Sequence, residues 1–152
     1  KKRMMNIFQE RYCCRNYILN YKIDVIKIEN ILNKSKDFEI IIIEDIKLKI
    51  NINNIYNKSQ HFIKDCSFLI MFFTKDNSEL QLNRVSREMF RIFIEIHKLQ
   101  LNACWVGGFN NEKIMSLLNI NNQQGQLIGF LTVGKESENK QHQTKRRQIE
   151  EG

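Results

Sequence analysis

Hydrophobic positions fall along the chain in runs whose spacing changes from helix-like to strand-like several times. Near the start, Met4, Met5, Ile7 and Phe8 offer apolar contacts for a short helix over residues 1–10. Asp24 reads as an N-cap, and Ile26, Ile28, Ile31 and Leu32 form a helical stripe to about Asn33. After the polar break Lys34–Asp37, the β-branched run Phe38–Ile43 has strand length and ends at Glu44-Asp45. A short helix is predicted over Asn53–Lys64, with Ile55, Tyr56, Phe62 and Ile63 as its apolar face. Cys66–Phe73 is continuously apolar except for Ser67, the pattern of a central strand buried on both faces. The longest helix runs over Glu79–Gln100, where Leu82, Val85, Met89, Phe90, Phe93, Ile94, Ile96 and Leu99 share one broad face. Ala103–Val106 is a short strand ending in Gly107-Gly108, and Asn110 and Asn111 are placed to cap a helix through Leu118. Gln126–Val133 is a further strand, closed by Gly134. The order of elements predicts an α+β sandwich, a small mixed sheet covered by helices.

Residues 1–134 therefore read as one domain. Residues 135–152 are charged, Gln-rich and nearly free of apolar side chains, which predicts a basic C-terminal arm. No internal repeat interrupts the domain. At 152 residues and 42% hydrophobic, the chain has enough apolar surface for one core without disulfides or a structural metal.

Charge and cysteine content narrow the chemistry. A net charge of +7 favours anionic partners, whether phosphate, nucleic acid or anionic membrane. Ile, Asn and Lys dominate and proline is absent, so a lysine-rich surface also accounts for that charge. The tail Lys140–Arg147 lacks interleaved aromatics, and no groove-reading motif appears, which argues against specific nucleic-acid recognition. No apolar run reaches the 18 residues expected of a membrane-crossing helix. Cys13, Cys14, Cys66 and Cys104 form no C-x-x-C pair, and His61, His97 and His142 are scattered, a pattern that points away from a metal site. Reduced thiols of a cytosolic or organellar protein are the plain reading, with redox chemistry as the alternative. The opening Lys1-Lys2-Arg3 is compatible with the trimmed remainder of a targeting sequence, and so with a mitochondrial or other organellar address.

The segment Ala103-Cys104-Trp105-Val106-Gly107-Gly108-Phe109, following a long helix, resembles the Cys-Trp-Ile-Gly element of the FMN-dependent nitroreductase family. Leu117-Leu118-Asn119-Ile120 and the strand Leu127–Gly134 follow in the family's order. Upstream, Arg11-Tyr12-Cys13-Cys14-Arg15-Asn16-Tyr17 is similar to the family's basic-x-Ser-x-Arg-x-Tyr opening, and Lys145-Arg146-Arg147 stands where the family carries a spaced basic pair. The resemblance covers almost the whole chain. It implies a minimal, divergent nitroreductase-like sandwich, an intertwined homodimer joined through the long helix, and FMN at the interface. It also implies NAD(P)H as reductant and a small electron acceptor.

The resemblance assigns cofactor contacts to Arg11, Tyr12, Cys13, Arg15, Gly107, Gly108, Lys145 and Arg147, and no catalytic residue. Physical chemistry suits those roles. Alternate positions in an extended segment point to one side, so Arg11 and Arg15 can meet the same phosphate, and guanidinium groups bind phosphate oxygens bidentately. Glycines let the backbone approach a flat ring, although Gly107-Gly108 also suits an ordinary strand-to-helix turn. Trp105 and Phe109 read as core.

Several positions depart from the family. Only Asn33–Asp37 joins Leu32 to Phe38, where the family has a longer loop reaching the flavin. Gly-Leu-Gly has become Gln100-Leu101-Asn102, the Ser of the opening motif is Cys13, and the Pro of Gly-Tyr-Pro is Glu136. Bulky Ile92–Ile96 replaces small residues on the long helix. These losses, with the basic charge, keep a second function open: a non-catalytic subunit of a larger organellar assembly, respiratory or ribosomal.

Overall fold

The computed structural model describes residues 13–32, 38–120 and 125–137. The expected helix over residues 1–10 and the polar break at 34–37 lie outside them. So do Arg11, Tyr12, Lys145 and Arg147.

Four strands, β1 (Phe38–Ile43), β2 (Phe68–Thr74), β3 (Asn102–Val106) and β4 (Gln126–Gly134), form one sheet in the order β1-β2-β4-β3. Every ladder among the described residues is antiparallel, so over these residues the sheet expected to be mixed is antiparallel throughout. The central strand β2 is buried along its whole length and divides its side chains between two cores. Leu69, Met71 and Phe73 point to one face, and Phe68, Ile70 and Phe72 to the other. A strand covered on both sides has no polar face, hence the unbroken apolar run.

The second face carries α1 (Val25–Glu29) and α4 (Glu79–Lys98). Ser78 caps α4 by accepting from Gln81 N–H at 3.3 Å. Val85, Met89, Ile92, Phe93 and Ile96 form its buried stripe. Asp24 caps α1 as expected, through Ile26 N–H at 3.0 Å. That helix stops at Glu29, and two tighter bonds continue the chain, Ile31 N–H to Ile28 O and Leu32 N–H to Glu29 O.

On the first face lie α2 (Ile46–Tyr56), α3 (Phe62–Asp65) and α5 (Asn111–Leu117). Here the sequence expectation needs correction. The helix predicted over Asn53–Lys64 begins instead at Ile46, capped by Asp45, and breaks at Asn57 before a single turn at Phe62. Ile46-Lys47-Leu48-Lys49-Ile50-Asn51-Ile52 alternates apolar and polar residues, which disguises helical spacing. The reason is Lys49, a buried lysine whose ammonium donates to Cys66 O at 2.6 Å and Ser67 O at 3.4 Å. A charge occupies a core position because two carbonyls at the end of α3 receive it. Asn53, also buried, joins the same pieces: its Nδ2 donates to Gln60 O at 2.7 Å and its Oδ1 accepts from Lys64 N–H at 3.2 Å.

β4 contains one irregularity that shapes both faces. Phe72 is opposite Gly129, while Phe73 is opposite Leu127, leaving Ile128 as the extra residue of a bulge. Ile128 and Gly129 thus both turn toward α4. A Cβ on Gly129 would lie 3.0 Å from Met89 Cε and 3.4 Å from Val106 O, so a side chain there would push the Met89 methyl aside by a few tenths of an ångström.

Candidate functional site

The opening segment meets β3 at Cys13 and Cys14 and the residues after β4 at Tyr17. Cys14 N–H donates to Ala103 O at 3.0 Å, and the Cys13 thiol donates to Trp105 O at 3.8 Å. Further along, Ile18 N–H donates to Lys135 O at 2.8 Å and Ser137 N–H to Asn16 O at 3.1 Å, with Tyr17 bridging to Glu136. The first two described positions of the motif are therefore laid beside β3, which leads into Gly107.

Tyr17 anchors this segment, and sequence reasoning assigned it no role. Its hydroxyl lies 2.6 Å from Thr132 Oγ1 in the core, and its ring covers Gly134. Burial first, then the neighbouring Cys14 and Cys66, raises its ionisation well above the usual tyrosine range, so it stays a neutral hydrogen-bonding group. A Cβ at Gly134 would lie 2.7 Å from Tyr17 Cδ1. Gly134→Ala is expected to lower stability by about 1–3 kcal/mol, because a buried ring must move. At Gly107 an added Cβ meets nothing within 4 Å, so Gly107→Ala should stay within about 0.5 kcal/mol of the parent. Denaturant midpoints of the two variants provide the measurement; equal midpoints would remove the anchoring role of Tyr17.

Arg15 is exposed, and its guanidinium carbon stands 6.0 Å from the centre of the Phe62 ring. No carboxylate among the described residues forms an ion pair with it. Gly107 and Gly108 are exposed with open space where side chains would be, and Gly108 takes a left-handed φ of 62°. Phe109 turns back to pack on Phe130, ring centres 5.2 Å apart, so the glycine pair is fixed at both ends: by β3 before it and by this contact after it. Trp105 and Phe109 are partly buried against the two cores, as their reading as core residues requires. The Asn111 amide donates to Leu127 O at 2.7 Å and ties the start of α5 to β4.

Of the predicted contacts, the structure lays Cys13 against β3, the strand that leads into Gly107 and Gly108, and sets Arg15 over the Phe62 ring of α3. The residues present fit a flavin mononucleotide in two respects. An exposed cation without a carboxylate partner among the described residues suits a phosphate, and a bare glycine backbone suits a flat ring. A separate cavity of ≈ 640 Å³, lined by Tyr21, Lys22, Ile46, Lys49 and Ser67 among others, includes none of the predicted residues.

Relatives of known structure share this arrangement of elements. The chain is similar to an FMN-dependent nitroreductase of Clostridium difficile R20291, with 20% identity over 90% of this chain and 89% of that one, at a TM-score of 0.77. It is similar also to a nitroreductase family protein of Clostridium novyi NT, with 17% identity, coverage of 88% and 85%, and a TM-score of 0.76. A provisionally assigned NADH dehydrogenase/NAD(P)H nitroreductase of Parabacteroides distasonis ATCC 8503 shares 14% identity over 91% and 90%, at a TM-score of 0.78. At such identities the likeness is one of fold. No curated protein matches the sequence. The family model, described as the nitroreductase family, matches residues 9–135, from the opening motif to the end of β4. With that match over most of the chain and the fold in agreement, the chain belongs to the nitroreductase family.

Proposed function

We propose that this protein binds FMN and acts as an NAD(P)H-dependent oxidoreductase of nitroreductase type, passing reducing equivalents to a small electron acceptor. The observation that carries the reading is the pinning of the Arg15 segment against β3, immediately upstream of the exposed Gly107-Gly108. FMN, when bound, supplies the redox chemistry. The chain's own residues bind and orient it. Arg15 offers a guanidinium to the phosphate, joined in this reading by Arg11, Lys145 and Arg147. Gly107 and Gly108 present backbone without side chains to the ring, and Tyr12 and Cys13 line the approach. No side-chain acid or base is required of the protein.

The same reading includes a homodimer joined through α4. The apolar stripe of α4 buried on its own sheet leaves a second row, Leu82, Phe90 and Ile94, only partly buried, and Leu80 is 59% exposed. A second helix laid along that row would cover it.

Purified protein should be yellow, or should take up added FMN with the visible spectrum of a bound flavin. Arg15→Ala should weaken FMN binding roughly 10- to 100-fold, the loss expected of one charge-assisted phosphate contact. Colourless protein that takes up no FMN would overturn the reading and leave the fold serving as a structural subunit of an assembly.

A further inference from the structure

Three of the four cysteines meet where the opening segment crosses β3. Cys13 and Cys104 both direct their thiols at one atom, Trp105 O, at 3.8 and 3.7 Å. The two side chains also influence each other: the Cys13 thiol is the first cause that raises the ionisation of Cys104. One backbone bond, Cys14 N–H to Ala103 O at 3.0 Å, joins the two segments one residue away from each of these cysteines. A disulfide needs Cα atoms about 4.4–6.8 Å apart, and segments joined by such a bond approach to about that spacing. Cys14 is less suitable. Its thiol donates to Asn16 O at 3.2 Å, away from the shared carbonyl, and is fully buried. Cys66 belongs to the α3–β2 junction, where its thiol donates to Ile63 O at 3.1 Å.

We propose that Cys13 and Cys104 are a redox-active dithiol which a small disulfide, such as an oxidised glutathione-type molecule, converts to an intramolecular disulfide. Cys13 is only half-buried, so it is the entry point; Cys104 is 1% exposed and serves as the resolving thiol. Sulfur of Cys13, as thiolate, attacks one sulfur of the small disulfide; that S–S bond breaks, and the first small thiol leaves, taking up the proton Cys13 gave up. Sulfur of Cys104 then attacks Cys13 Sγ, forming the protein S–S bond and expelling the second small thiol. Two protons and two electrons pass from the dithiol to the small disulfide, which ends as two thiols.

The neighbourhood acts on the second step in both directions. Reduced Cys104 is held well above the usual thiol range, first by its interaction with Cys13, then by burial. Capping Cys13 removes the first cause; burial still opposes the Cys104 thiolate, and the nearby Arg15 charge favours it. The product tethers the Arg15 segment to β3. This inference concerns thiols alone and stands whether or not the protein binds flavin.

The test uses the full chain, reduced with a phosphine, then equilibrated with oxidised glutathione, quenched with acid, alkylated and digested with trypsin. The expected product is the peptide Tyr12–Arg15 joined to Leu99–Lys113, lighter by two hydrogens than their sum, without glutathione. Fragmentation of that product should place the bond on Cys13 rather than Cys14. The link should persist in Cys14→Ala and vanish in Cys13→Ser. A stable glutathione adduct on Cys13 beside an alkylated Cys104, an unreacted Cys13, or a bond on Cys14 would each overturn the proposal.

Discussion

Phe130→Ala should lower the unfolding free energy by about 3–5 kcal/mol, the cost of removing a fully buried aromatic ring from a close-packed core. Phe130 sits opposite Val106 in the β3–β4 ladder and beneath Phe109. Its ring therefore supports the last residue of β3 and the residue that ends the glycine turn. Truncation leaves a cavity that α5 and the turn cannot close without moving, because β4 is held in register from Asn102↔Gly134 onward. Urea unfolding followed by circular dichroism measures the effect. Phe109→Ala, at a half-buried site, should cost less than Phe130→Ala in the same assay. A loss at Phe130 below about 1 kcal/mol would mean that the turn is not supported from the core.

The second large effect is expected in alkali. Burial, the largest cause in each case, pushes the Cys14 and Cys66 thiols from an ordinary 9.0 up to about 12. In the unfolded chain these thiols lose their protons near pH 9, whereas the folded chain holds them. The unfolded state thus binds fewer protons above that point, and folding stability must fall as pH rises. The contribution is complete below about pH 9 and is lost progressively up to about pH 12. Each thiol withdraws about 1.4 kcal/mol per pH unit within the window, so the pair removes about 5 kcal/mol by about pH 11. Tyr17, raised for the same reason, adds to the loss at the alkaline end. Denaturant midpoints measured in phosphine-reduced protein from pH 8 to 11 should decline steadily, and a Cys14→Ala/Cys66→Ala double variant should decline less steeply. Identical slopes would show that other groups govern alkaline unfolding.

Local patterns in the sequence were sufficient for most elements. β2 was legible because burial on both faces demands an uninterrupted apolar run, β1 because its isoleucine run has strand length, and α4 because twenty residues repeat one stripe. The caps Asp24, Ser78 and Asn110 sit where the helices begin because their side chains accept from the first turn. Where the pattern misled, a single residue was responsible. Lys49 breaks the stripe of α2, and only the two carbonyls brought to it from the α3–β2 junction make its burial tolerable. The turn after α4 is similar. Gln100 takes φ 62°, a left-handed position favouring glycine, and closes the helix through Gln100 N–H to His97 O and Leu101 N–H to Ile96 O. Nothing in a glutamine announces that conformation.

The candidate site divides along the same line. The residue types were readable from the two motifs: Cys13, Arg15 and a glycine pair after a Cys-Trp strand. What the chain determines by itself, then, is its helices, its strands and the chemistry each motif carries, since these depend on neighbours within a few positions. Tertiary structure alone decided which distant groups meet: Tyr17 with Thr132, 115 positions apart, its ring over Gly134; Cys13 beside Cys104; and Arg15 above Phe62. Those meetings follow from strand order, which long-range pairing sets and short-range periodicity does not encode.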